Sequence, residues 1–139
     1  MTKPTKEDAE LLLRLLQSQD TPQNNDAMAK FMRDFKTPKN YKKFRSKYPP
    51  GSPMFDAVSR VLTNFETAGV LVSQGVLNEN LYFDISSIGF VWPMVAPIIP
   101  GWQKEAGANL WENAVWLAER QKWWQKNVWK PGMKWKTAG

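Results

Sequence analysis

Glu66 stands in the run Phe65-Glu66-Thr67-Ala68-Gly69, and a carboxylate held among aromatic side chains can have its pKa raised and serve as an acid or base. The plainer reading is structural: Glu66 pairs with Arg60, with Arg120 or with a helix N-terminus and organises packing. Glu66, Asp84, Glu112 and Glu119 together would be the carboxylates for a divalent ion, but no Asp-x-Asp or Glu-x-x-His spacing supports one. The chain has no cysteine and no histidine. Disulfides, thiolate nucleophiles, zinc–cysteine sites and the commonest general base are thereby removed. The residues point to no catalytic group, no metal and no cofactor.

Contact is the better reading. All 8 tryptophans lie between Trp92 and Trp135, and the last ones alternate with lysine. Indoles beside ammonium groups suit a surface that lies on something else. Trp116, Lys122, Trp123, Trp124, Lys126, Trp129, Lys130 and Trp135 are the expected partner-binding residues, with Trp anchors filling pockets and Lys stems packing along the rim. Trp116 and Trp123 fall off the apolar stripe of their helix and are the better candidates for exposure. Trp92, Trp102, Trp111 and Trp116 would otherwise line an apolar pocket or simply fill core. The same tail also suits single-stranded nucleic acid, lysines tracking phosphates and indoles stacking on bases. Peripheral membrane contact is a further reading, weakened by a short apolar face.

The net charge of +6 is unevenly spread. Residues 1–48 carry +5, residues 49–100 carry −3 and residues 101–139 carry +4. Within the first block Lys36–Lys47 is a basic patch, in which Lys39, Lys42, Lys43 and Arg45 are candidates for phosphate contact. A solvated helical face is the default for such a run. No transmembrane segment is expected: the longest apolar stretch, Ile85–Ile99, is short and interrupted by Pro93 and Pro97. A soluble, cytoplasmic chain is expected.

These side chains must be positioned by helices. Thr5-Lys-Glu-Asp8 is a capping-box start, followed by Leu11, Leu12, Leu15 and Leu16 on one stripe. Gln17–Asn25 reads as a loop around Pro22, with Asn24 or Asn25 capping a second helix. Thr37-Pro38 predicts a cap plus first-turn proline for a short basic helix with Tyr41, Phe44 and Tyr48 on one face. Ser52-Pro53 repeats that signature and opens the strongest helix, expected to end at Gly75. Gly69, costly inside a helix, predicts close approach of a neighbour. Asn78-Glu79 caps a short helix, three prolines break up Gly89–Trp102, and a last amphipathic helix starts near Asn109.

The run from Val61 to Asp84, with Phe65-Glu66-x-x-Gly69 and Gly75, resembles the core of a bacterial family of small all-helical domains of unknown function. Trp92–Pro97 and Leu110–Arg120 are similar to that family's Trp–Pro and "Leu-Ala-Glu-Arg" helices. The likeness covers roughly residues 53–121, implies an all-helical fold and supplies no activity; Phe65, Glu66, Gly69 and Gly75 are its structural residues.

The sequence thus predicts an all-α, single-domain bundle of about five or six helices. N-terminal helices (1–52) and a family-like core (53–121) would make up the domain, and residues 122–139 a basic aromatic tail. The expected function is a non-catalytic adaptor or accessory subunit docking on another protein. Nucleic-acid binding through the tail and the Lys36–Lys47 patch comes second, and an enzyme relying on carboxylates third.

Overall fold

The computed structural model describes residues 3–131, and among them every regular element is helical. In chain order these are α1 (Lys6–Gln19), α2 (Pro22–Asp34), α3 (Tyr41–Lys47), α4 (Pro53–Ser73), α5 (Glu79–Ile85), α6 (Trp92–Val95), α7 (Ile99–Ala106) and α8 (Glu112–Asn127). Single 3-10 turns, Ile88–Phe90 and Ala96–Ile98, flank α6. The helix tally is higher than expected because prolines chop the 88–106 segment into pieces one or two turns long.

Most boundaries follow from local chemistry. Thr5 and Asp8 form the reciprocal capping box, with Asp8 N–H donating to Thr5 Oγ1 at 3.1 Å and Thr5 N–H donating to Asp8 Oδ2 at 2.8 Å. α2 starts earlier than predicted. Thr21, not Asn24 or Asn25, is its cap, accepting from Asn24 N–H at 3.1 Å, and Pro22 occupies the first turn where no donor is needed. α3 starts later, capped by Asn40 rather than Thr37; the Thr37 hydroxyl instead donates to the Met94 carbonyl at 2.9 Å. Ser52-Pro53 opens α4 as read. Gly75 takes the left-handed conformation (φ +71°) that closes it, while Val76 N–H reaches back to the Leu71 carbonyl.

α4 is the spine, packing most extensively on α2 and α8. Met54, Ala57, Val58, Val61 and Leu62 from its first half join Phe31, Phe35, Phe44, Val95, Ile98 and Trp102 in one apolar cluster. Ala68 and Val72 from its second half join Leu12, Leu15, Phe83, Ile88, Leu117 and Trp124 in another. Phe65, Trp92 and Trp111 pack against both. No helix among the described residues is long and apolar enough to cross a membrane.

Candidate functional site: the outer face of α8 and a basic cleft

The motif carboxylate is fully engaged. Glu66 Oε1 accepts the backbone N–H groups of Asn113 and Ala114, both at 2.9 Å, and Oε2 accepts the Asn113 side-chain amide at 2.7 Å. Glu66 is therefore the N-terminal cap of α8, delivered from α4. Its negative charge also sits where the helix dipole is positive. Of the partners considered from sequence, the helix N-terminus is the one it takes. Gly69, one turn on, allows the approach: a Cβ there would lie 2.3 Å from the Asn113 carbonyl oxygen. The spacing Glu66-x-x-Gly69 thus places a cap and a gap on the same side of α4.

α8 needs this help because its own start is poor. Trp111 holds the cap position with φ +58° and gives no side-chain cap, and its buried indole Nε1 has no hydrogen-bond partner. A bulky residue in the left-handed region costs of order 1–3 kcal/mol. Trp102 meets the Trp111 ring edge-on at 5.5 Å, so both indoles serve the core rather than an open pocket.

Further along, α8 is fastened to the α5 region by polar contacts on successive turns. Arg120 makes a two-pronged ion pair with Glu79, at 2.7 and 2.8 Å, and that hydrogen-bonding raises the Arg120 pKa further. Buried Gln121 accepts the Gly89 N–H at 2.9 Å. Trp124 Nε1 donates to Asn80 Oδ1 at 2.8 Å, beneath the ring of Phe83 at 5.5 Å.

This geometry divides the predicted contact residues. Trp124 is 3% exposed and belongs to the core, which corrects its assignment as a docking residue. It lies on the stripe with Leu117 and Gln121, whereas Trp123 points the other way. Trp116 is partly buried against the same cluster. Trp123 and Trp129 are each 43% exposed, and the Arg120 guanidinium sits 3.8 Å from the centroid of the Trp123 ring. Lys122, Lys126 and Lys130 are exposed beside them. Trp135 lies outside the described residues. Because α8 continues to Asn127, residues 122–127 extend the helix past position 121.

The second predicted patch divides as well. Lys39, Lys42, Lys43 and Arg45 are all exposed, but only Lys42 and Arg45 line a cavity of about 700 Å³ between α3 and α7, facing Lys104 and Glu105. Tyr41 donates its hydroxyl proton to Glu105 Oε2 at 2.7 Å, and Arg45 pairs with Glu105 Oε1. Burial first, and then the Glu105 hydrogen bond and charge, push the Tyr41 phenol up to about 12, with Arg45 opposing. The ring stacks on Trp102 at 5.4 Å, and Gly101 packs so closely that a Cβ would sit 2.8 Å from Tyr41 Cβ. Sequence reading placed Tyr41 on an apolar face and missed its partnership with Glu105. The two are 64 residues apart, and no local pattern links them.

Among the described residues no group of three carboxylates, the chain having neither histidine nor cysteine, could hold a metal ion. No curated protein and no solved structure matches the chain. A family model, a domain of unknown function (DUF4760), matches residues 4–123, so the likeness takes in α1–α3 as well as the 53–121 stretch. The chain belongs to the DUF4760 family.

Proposed function

We propose that this domain is a non-catalytic docking module of the cytoplasm that engages an acidic surface of another protein through the outer face of α8. The observation that carries the reading is the division of labour in one helical turn. Trp124 is spent on the core, while Trp123, with Trp129 beyond it, stays 43% exposed among Lys122, Lys126 and Lys130. Exposed indoles flanked by cations match the make-up of interface anchors. The ammonium groups make no ion pair among the described residues, which leaves them for a partner's carboxylates. The carboxylates most suited to chemistry are already occupied: Glu66 by the start of α8, Glu79 by Arg120 and Glu105 by Arg45 and Tyr41.

A photo-crosslinker placed at position 126 of the full chain, used in native lysate with and without nuclease treatment, tests this. The reading expects a crosslink to an acidic segment of one protein, lost in a Trp123→Ala/Trp129→Ala variant and surviving moderate salt. Nucleic acid as the recovered species, or protein recovery that disappears with nuclease, would instead favour phosphate binding through the lysines. Such binding falls steeply between low and physiological salt.

A further inference from the structure

The cleft between α3 and α7 shares no residue with the α8 surface, and its composition is specific. Lys42, Arg45 and Lys104 contribute three positive charges and Glu105 one negative. Glu105 is consumed within the wall, held by the Tyr41 hydroxyl and the Arg45 guanidinium. Lys42 and Lys104, from opposite helices, form no ion pair among the described residues. The surplus is two ammonium charges lining one cleft. Between them lie Tyr41 and Gly101, packed so closely that a Cβ at Gly101 would sit 2.8 Å from Tyr41 Cβ, with Asn40 and Ser46 completing the lining.

The floor is also closely braced. Tyr41 is stacked on Trp102, Phe44 lies 5.6 Å from Trp102 and 5.4 Å from Phe55, and the Tyr41 hydroxyl is tied to α7 through Glu105. A cavity of about 700 Å³ falls within the roughly 300–1,000 Å³ span of small-molecule sites. A preformed wall spares a ligand the cost of ordering it.

We propose that the α3–α7 cleft binds a small phosphate monoester carried on an apolar or aromatic group, its dianion held between Lys42 and Lys104 and its body against Tyr41 and Gly101. A dianion matches the two-charge surplus, which a carboxylate monoanion leaves half used. A phosphate also has three acceptor oxygens for donors arriving from two sides.

Phenyl phosphate is the probe, titrated by calorimetry into the full chain, with inorganic phosphate and benzyl alcohol as controls for the charged and the apolar halves. The expected result is saturable binding of phenyl phosphate, about tenfold weaker for inorganic phosphate and absent for benzyl alcohol. Lys42→Gln and Lys104→Gln should each weaken binding about tenfold while leaving the melting temperature unchanged, since both side chains are exposed. Backbone amide shifts on titration should centre on residues 41–46 and 101–105. No saturable binding at millimolar ligand, undiminished binding by a variant carrying both Lys42→Gln and Lys104→Gln, or shifts centred on 122–130 would each overturn the proposal. None of these outcomes depends on the crosslinking experiment on α8.

Discussion

Glu66 and Asn113 are joined twice: one carboxylate oxygen takes the Asn113 backbone N–H at 2.9 Å and the other its side-chain amide at 2.7 Å. The two residues are 47 positions apart, and Ala114 N–H adds a third bond to the same carboxylate. Replacing Glu66 by Gln keeps an acceptor but removes the charge, and should cost about 1 kcal/mol. Glu66→Ala, which strands two helix N–H groups, should cost about 2–3 kcal/mol. Urea unfolding at neutral pH measures both. An alanine variant as stable as the parent would show that α8 does not depend on this cap.

Gly69→Ala sets two effects against each other. Alanine is favoured over glycine by about 1 kcal/mol inside a helix. The new Cβ, however, would meet the Asn113 carbonyl at 2.3 Å, and backbone on a neighbouring helix cannot step aside cheaply. The clash should win, for a net loss of about 1–3 kcal/mol, with reduced near-ultraviolet dichroism as the aromatic packing loosens. Gly75→Ala meets no atom within 4 Å and is strained only by its φ of +71°, so its loss should be nearer 1 kcal/mol.

Adjacent tryptophans should respond oppositely. Trp124→Ala removes a side chain that is 3% exposed and strips the Asn80 side chain of a donor, a change of about 3–5 kcal/mol, a large fraction of the stability of a domain. Trp123→Ala loses only an exposed ring under Arg120, about 0.5–1 kcal/mol. Thermal melts of the two variants separate them directly.

The alkaline limb of stability should carry the signature of Tyr41. Its phenol is raised to about 12 in the folded chain against about 10 unfolded, so the native state holds the proton more tightly. The contribution is fully present below pH 10 and is lost as pH rises from there through 12. Tyr82 is shifted the same way by burial, with the Ser86 hydroxyl bond opposing. Tyr41→Phe should cost about 1 kcal/mol at neutral pH and flatten the decline above pH 10. Denaturant midpoints measured across pH 8–12 report both effects.

What could be read from sequence was whatever is decided within one turn of chain. Thr5/Asp8, Ser52-Pro53, Asn78 and Gly75 carry their boundary signals in neighbouring residues, and they sit where those signals say. Thr21-Pro22 carries the same signal as Ser52-Pro53, yet in a polar stretch Pro22 passes for a loop residue. Thr37-Pro38 carries it too, but there Thr37 bonds to Met94 and the helix waits for Asn40. Position on a face was legible only in part. Trp124 falls at heptad spacing from Leu110 and Leu117, a core signal, yet its setting in a lysine-rich run reads as surface. Gly69 announced a close neighbour without naming Asn113. Pairings across many residues, Tyr41 with Glu105 and Gln121 with Gly89, leave no trace in spacing.

The borrowed cap on α8 bears on how the chain reaches its native state. Neither Trp111 nor any other side chain at that junction caps the helix locally, so α8 has a defined beginning only after α4 is in place to receive it. During synthesis Glu66 leaves the ribosome well before Asn113 exists, and its carboxylate must stay hydrated until the last helix arrives. Docking of α8 covers Glu66, fills the space beside Gly69 and buries Trp124. A chain in which α8 has not yet docked would expose Ala68, Val72 and Phe83 to whatever chaperone or neighbouring chain is at hand.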